Sequence, residues 1–443
     1  MDRDARIEQI LGCFKDMVET ILAKPGHGAA AAASRAVAEK FREVGRQIVQ
    51  AAVETAAYEL AKTRPAPCCE GAAARLVHVR EVGVRTLFGE VRIPVRTLRC
   101  ARCRRYLRPD DAELGVPESG VLADDVREVL APIVAELPLE VAADLLERTT
   151  GVQLSVHAVQ GAVASVARDV RREREAREVR EHDTVAALRA AHCDGGAQTL
   201  GLEVGMDGVM AHVDGAWRET KVATLQVRKV DPAAKAEERL GEVVARRYAC
   251  ARAGPAEFGR RILSTIRGTG WQGLPVVQVL GDGAPWIWRL ANALFPGSVQ
   301  TLDCYHLRGH FFGFASLQWP EPEQAKRWVD EKIAALLEDR VGDVLGALRR
   351  TRGRDSAASK ALRDLVRYVR TNRTRIRYED AYLAGFAIGS GAVEGACKHV
   401  VQMRFKRPGM RWKSKGFHDV LEIRLARLNG TLDHFSRNAM VAA

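Results

Sequence analysis

The sequence predicts a multi-domain α/β protein, and three observations carry that prediction. The chain has 443 residues, too long for one ordinary domain. Residues 198–310 alternate strand-like and helical segments, whereas 1–64 and 318–386 carry only helical periodicity. Hydrophobic residues make 47% and charged residues 28%, a core-forming balance. No apolar run approaches the roughly 18 residues of a membrane-spanning helix. The N-terminus, MDRDARIEQI, is charged and has no apolar stretch of the signal-peptide kind, so a cytoplasmic protein is expected. Nine cysteines are too few for a disulfide scaffold and fit a reducing compartment.

The elements follow in order. Residues 1–64 form a helical N-terminal region, with Ile7, Ile10, Leu11, Phe14, Met17 and Val18 at helical spacing and a break at Pro25-Gly26. Residues 65–116 form a zinc-ribbon-like segment. Val77–Arg80 and Val91–Val95 alternate as strands around Phe88-Gly89-Glu90, and Cys100-Ala101-Arg102-Cys103 closes the segment. A CxxC knuckle supplies two thiolates for a tetrahedral zinc. The other half is the adjacent pair Cys68-Cys69, with His78 as a substitute ligand. Either zinc binds here, or a degenerate ribbon folds without it.

Residues 117–167 form a helix-turn-helix-like DNA-binding region. Leu139–Leu146 is amphipathic, Thr150-Gly151 breaks it, and Ser155 is an N-cap for a helix over Val156–Val166. Residues 168–194 mix Arg and Glu at i,i+4 spacing, as an exposed linker helix would. Residues 195–317 then give strands at Leu200–Met210, Thr220–Val230 and Arg247–Ala253, and a helix at Pro255–Arg267. A strand at Pro275–Leu280, a helix at Pro285–Leu294 and a strand at Ser298–Leu302 follow. Three antiparallel strands, a crossover helix and parallel strands is the order of an RNase H-like core. Residues 318–386 read as a helical insertion into that core. Residues 387–443 complete it, beginning at a Gly389-Ser390-Gly391 loop with Ser390 as a candidate N-cap.

Charge points to a polyanionic partner. Lys plus Arg is 68 against 56 Asp plus Glu, a formal +12. Much of the excess lies between Gly395 and Gly430, in Lys398, Arg404, Lys406, Arg407, Arg411, Lys413, Lys415, Arg424 and Arg427. Only Asp419 and Glu422 oppose them, and Phe405, Trp412 and Phe417 are interleaved.

Two aspartates stand in unusual places. Asp207 lies in Gly-Met-Asp-Gly on an otherwise apolar strand, and Asp282 in Gly-Asp-Gly directly after another. A carboxylate in such a place is costly unless paired or bound to a cation. Glu394 follows on the helix after the GSG loop. Together the three acids form an oxygen-ligand set for a Mg²⁺ or Mn²⁺ pair about 4 Å apart, the arrangement that drives phosphodiester chemistry. Asp303-Cys304-Tyr305-His306, after the last strand, adds an accessory Asp303 and His306.

These motifs together resemble a known family. GMDG, GDGAPWIW, DCYH and GSGAVEGACK, followed by MRFKRPGMRW, are similar to the ISKra-type transposases of bacterial insertion sequences, DDE enzymes with an RNase H-like core. The likeness extends to the ribbon around RTLFGEV and RCARC and to the helix-turn-helix near LPLEVAADLLERTTGV. It implies a catalytic triad of Asp207, Asp282 and Glu394, with Asp303 and His306 as its D/C-x-x-H motif. It implies cleavage at element ends and strand transfer into target DNA, in a nucleoid-associated homo-oligomer. Lys398, Arg404, Lys406, Arg407, Arg411 and Lys413 would contact double-stranded DNA. The sequence departs from the family at Cys68-Cys69, where a CxxC is expected. An inactive transposase-derived DNA-binding protein and an RNase H-like nuclease of RNA–DNA hybrids remain as alternatives.

Overall fold

Helical periodicity over the first 62 residues becomes two helices, α1 (Arg3–Leu22) and α2 (Ala29–Lys62). The computed structural model describes residues 3–22, 29–62, 69, 72–118, 120–179, 184–193, 199–230 and 241–432. The predicted break at Pro25-Gly26 lies outside them. Phe14 meets Phe41 edge-on, 6.3 Å between centroids, and Met17 and Val44 are buried. Among the described residues no helix is long and apolar enough to cross a membrane.

The chain divides into two compact units, one built on residues up to Val170 and the other on Arg171–Gly430. In the first, β1 (Ala74–Thr86) and β2 (Gly89–Cys100) pair antiparallel through a tight turn, and the short β3 (Tyr106–Leu107) adds to β2. α2 covers this sheet. The Gln50 side chain takes both backbone hydrogen bonds of Arg92, at 2.9 and 2.8 Å. Val84, Val91, Ile93 and Val95 form the core beneath it. Three helices follow, α3 (Asp124–Glu136), α4 (Leu139–Thr150) and α5 (Val156–Val179). Gly151, in the left-handed region at φ 75°, ends α4, and the Ser155 hydroxyl accepts the Ala158 N–H at 3.1 Å to open α5.

The expected separate linker helix over 168–194 is corrected here. The second helix of the helix-turn-helix runs on to Val179 without a break, and α6 (Thr184–His192) follows. Nothing between Arg168 and Val179 stops a helix, and Arg177 and Glu173 pair at i,i+4. Its later turns are not a solvated face. Arg174 donates to the Ser264 hydroxyl at 3.3 Å and is partly buried.

The second unit is built on a five-stranded sheet of order β6-β5-β4-β7-β8. β4 (Thr199–Val213) and β5 (Ala216–Val230) are a long hairpin, and β6 (Val243–Ala251) extends it antiparallel. Asp214 and Gly215 form its two-residue turn, both at positive φ. α7 (Pro255–Thr269) crosses to β7 (Val276–Gly281), which pairs parallel with β4. α8 (Pro285–Leu294) crosses to β8 (Val299–Leu302), parallel to β7. The architecture is mixed α/β.

β4 alternates strictly. Leu200, Leu202, Val204 and Met206 face one way, while Gly201, Glu203, Gly205 and Asp207 face the other. The apolar face meets Phe258 and Ile262 of α7, Ile287 of α8, and Leu307 and Phe311 of α9 (Cys304–Gln318). The predicted insertion forms α10 (Pro322–Leu337), α11 (Val341–Arg350), α12 (Ser356–Asn372) and α13 (Tyr378–Leu383). Leu336, Leu348 and Leu365 of these helices join the same core. The polar face carries a buried ion pair, Glu203 with Arg228 at 2.8 Å. It is covered by α14 (Gly391–Ala396), which continues through a π-helical stretch, Cys397–Gln402, into the short α15 (Met403–Phe405). α16 (Ser414–Leu428) closes the unit.

Candidate active site

Register alone brings the two aspartates together. Met206 on β4 pairs with Gly281 on β7, so Asp207 and Asp282 follow at the next rank of adjacent strands. Asp207 shares its face with Gly205. A Cβ on Gly205 would lie 2.7 Å from the Thr224 hydroxyl and 3.2 Å from Cβ of Val393. Glycine there lets α14 approach the sheet, and α14 carries Glu394. Gly208 N–H donates to Asp207 Oδ1 at 2.6 Å, and the Cys397 thiol donates to Oδ2 at 3.5 Å. Ala284 N–H donates to Asp282 Oδ1 at 2.9 Å. Glu394 is exposed, and the Ser390 hydroxyl donates to its Oε1 at 2.8 Å.

The electrostatics agree with this clustering. Burial pushes the Asp207 carboxyl above the usual carboxylate range, and the negative charges of Asp282 and Glu394 push the same way against the Gly208 hydrogen bond. The three carboxylates are set more widely than one ion's coordination sphere. Among the described residues, the side chains whose donor atoms all lie within 4.8 Å of one another are Cys69, Cys100 and Cys103.

Asp303 is not a surface ligand. It is fully buried, and its carboxylate accepts the N–H of His306, capping α9, and the N–H of Ser390 in the GSG loop. Its own N–H donates to Gly281 O at 2.8 Å. Through its backbone and its side chain, this one residue ties together the end of β7, the start of α9 and the loop before Glu394. His306 is exposed on α9, one turn before His310, with their Nε2 atoms 3.2 Å apart.

Ser390 differs from its expected role. Its backbone is not extended and its hydroxyl makes no cap bond; it turns to Glu394 instead.

The site includes residues that sequence reasoning missed. Tyr368, on α12 of the helical insertion, donates its hydroxyl to the carbonyl of Asp282 at 2.5 Å. Its ring stacks on His310 at 4.1 Å. Burial, then the Asp282 and Asp303 charges, push the Tyr368 hydroxyl's pKa up, so it stays a donor. Gly283, at φ 98°, makes room for it, since a Cβ there would lie 2.6 Å from the Tyr368 oxygen. Burial and the Asp207 charge likewise raise the Cys397 thiol. His310 is signalled by its i+4 spacing from His306, and Cys397 by its place in GACK. Nothing local signals Tyr368.

The basic segment is anchored beside this unit's hairpin. Trp412 bridges Val213, and Asp214 accepts the N–H of Ser414 at 3.0 Å. Lys398, Lys406, Arg407, Arg411 and Lys413 are exposed. Arg404 is not, which corrects its expected place on a DNA-facing surface. It is fully buried, its guanidinium 5.0 Å from the Trp412 ring centre and 5.6 Å from that of Phe405. The alternation of basic and aromatic residues here builds a stacked core rather than a comb of surface cations. Arg424 is also buried and donates to Val400 O at 2.9 Å, in the π-helical stretch.

In the first unit, Cys69, Cys100 and Cys103 form a three-thiol cluster. Cys68 lies outside the described residues, and His78, exposed on β1, is not in the cluster. The helix-turn-helix pair is joined by Gly151–Ser155, longer than the usual three or four residues. Gln153 and Ser155 of the connection and His157 and Gln160 at the start of the second helix are exposed, as are Arg168 and Arg172 further along it.

The fold and site define a mixed α/β protein with Asp207 inside β4, Asp282 just past the end of the adjacent β7, and Glu394 on the helix that covers them. Residues 272–439 match the uncharacterised protein family UPF0236, a span that takes in Asp282, Asp303, Glu394 and the basic segment but not Asp207. No curated protein matches the chain.

Proposed function

We propose that this chain is a DDE transposase of the ISKra insertion-sequence type, with an RNase H-like core formed by β4–β8 and the helices around them. It cuts DNA at element ends and joins the freed 3′-hydroxyl to target DNA. The observation that carries this reading is the meeting of Asp207, Asp282 and Glu394 from two adjacent strands and the helix that covers them. The strand order, three antiparallel and then two parallel through helices, supports the RNase H-like assignment.

The donor set fits divalent ions. All three groups offer hard oxygens, and the burial and neighbouring charges that raise Asp207 are both offset by a bound cation. Asp207, Asp282 and Glu394 would hold Mg²⁺ or Mn²⁺. Bound there, the ions supply charge neutralisation at the displaced phosphodiester and activation of the attacking oxygen. The chain's own residues place these ligands. The Cys397 thiol and Gly208 N–H orient Asp207, Ser390 orients Glu394, and Tyr368 with Ala284 N–H fixes the Asp282 turn. No side-chain nucleophile is required, because water and then the DNA 3′-hydroxyl attack in turn. Incubating a supercoiled plasmid that carries the element ends with Mg²⁺, Mn²⁺ or chelator tests the reading. Metal-dependent cutting supports it, and binding without cutting in either metal favours an inactive DNA-binding relative.

The exposed cations of the basic segment hold DNA. Lys406→Ala with Arg411→Ala weakens duplex binding and flattens its salt dependence by about two phosphate contacts, near 0.9 in log–log slope each. An unchanged slope would mark the segment as a plain solvated face.

The thiol cluster holds a structural zinc through Cys69, Cys100 and Cys103, with the neighbouring Cys68 as the candidate fourth ligand. The purified protein is expected to carry about one zinc per chain. Cys100→Ser with Cys103→Ser loses it and lowers the Tm by about 5–10 °C, from a loss of a few kcal/mol. Metal analysis showing no zinc in a wild-type protein of full stability would argue for the metal-free ribbon.

A further inference from the structure

The second unit holds a cavity of about 560 Å³ outside the carboxylate cluster, walled by α5, the β6–α7 connection and α16. Five arginines line it, Arg171, Arg174, Arg252, Arg260 and Arg261, against four glutamates, Glu175, Glu178, Glu257 and Glu422. Three are braced within the chain. Arg171 pairs with Asp419 at 3.2 Å, Arg261 with Glu422 at 2.6 Å, and Arg174 with Ser264 and Glu178. The other two are not. Arg252 spends one nitrogen on the Ser414 hydroxyl at 2.6 Å, while its Nε is buried with no hydrogen-bond partner. Arg260 is exposed and makes no ion pair among the described residues. A buried donor left unmade costs about 1–3 kcal/mol, so the Arg252 Nε is poised for an oxygen from outside the chain. The amino end of α7, with no side-chain cap, lies at the same cavity beside Arg252, where Glu257 of its first turn also lines the wall.

The cavity's position says which anion it suits. Its wall includes Cys250, which pairs with Val222, and Val222 pairs with Asp207. The three residues form one row on one face of the sheet. At about 4.8 Å between strands, the cavity begins about 10 Å from Asp207. Along a duplex, the phosphates of one strand rise about 3.4 Å of axis per step but lie further apart through space, so about 10 Å is one or two steps.

We propose that this cavity binds a backbone phosphate of the substrate DNA on Arg252 and Arg260, one or two nucleotides from the phosphate held at the carboxylates. The proposal rests on the DNA-cleaving reading above. It assigns β6 and α7 the task of setting the strand's path into the site, separately from the basic segment.

The test measures binding of the full-length chain to a fluorescein-labelled 40-base-pair duplex in chelator, so that catalysis plays no part. Arg260→Gln, on the exposed face of α7, and Arg252→Gln with Arg260→Gln are compared with wild type, and thermal melts confirm folding. The pocket variants are expected to lower the log–log salt slope by about one unit, the share of one phosphate. A scan of single neutral methylphosphonates through element-end DNA locates the contact. One position should weaken binding to wild type and leave the double variant unaffected. A wild-type slope in both variants, or no such position, overturns the proposal while leaving the DNA reading intact if Lys406→Ala with Arg411→Ala still lowers the slope. A wild-type protein that binds no DNA sinks both.

Discussion

Glu394→Gln protein is expected to bind DNA as wild type does and to cut it at least about 10³-fold more slowly, a loss near 4 kcal/mol of transition-state stabilisation. The substitution keeps the size of the side chain and an oxygen for the Ser390 hydroxyl, but removes the charge. Glu394 is exposed on the six-residue α14, so little stability depends on it. Asp282→Asn should behave alike, because its Oδ1 still accepts the Ala284 N–H. A gel-shift assay beside a cleavage time course checks both. Cleavage within tenfold of wild type by either variant would mean that these acids are not the metal ligands.

Asp303→Ala is expected to damage the protein in a different way. It removes the acceptor for two N–H groups, those of His306 and the buried Ser390. At about 1–3 kcal/mol for each donor left unpaired, the loss is roughly 2–6 kcal/mol, or about 5–15 °C in Tm. The GSG loop carries Ser390, which orients Glu394, so cleavage falls with stability while DNA binding by the basic segment persists. Asp303→Asn, which keeps one acceptor, should lie between. A melting curve for Asp303→Ala that overlays wild type would show that the buried carboxylate does not hold the loop.

Most elements of the second unit were legible because period and punctuation agree. Pro255, Pro285 and the Asp214-Gly215 turn mark starts and bends that the chain obeys. Asp207 and Asp282 stand out because each carboxylate follows apolar strand residues. What brings them side by side is a parallel register, which no local pattern encodes. The polar row opposite the β4 core, with Glu203 and Arg228, reads in sequence as noise in an apolar strand. Tyr368 reaches Asp282 from 86 residues away, through the packing of α12. Arg404 shows the limit of counting charge. Basic residues next to aromatics look alike whether they stack inward or point outward, and only the fold around Trp412 decides. The long α5 was divided because its charge pattern changes at Arg168, although its backbone does not.

The central claim is that Asp207, Asp282 and Glu394 cut DNA at element ends. Mapping of strand breaks at nucleotide resolution on a donor plasmid, with Mg²⁺ or Mn²⁺ and with Glu394→Gln in parallel, tests it most directly. The account predicts breaks at the element termini that leave 3′-hydroxyl ends, present with either ion and absent in the variant. Breaks scattered over the plasmid, or equal in wild type and variant, would contradict it.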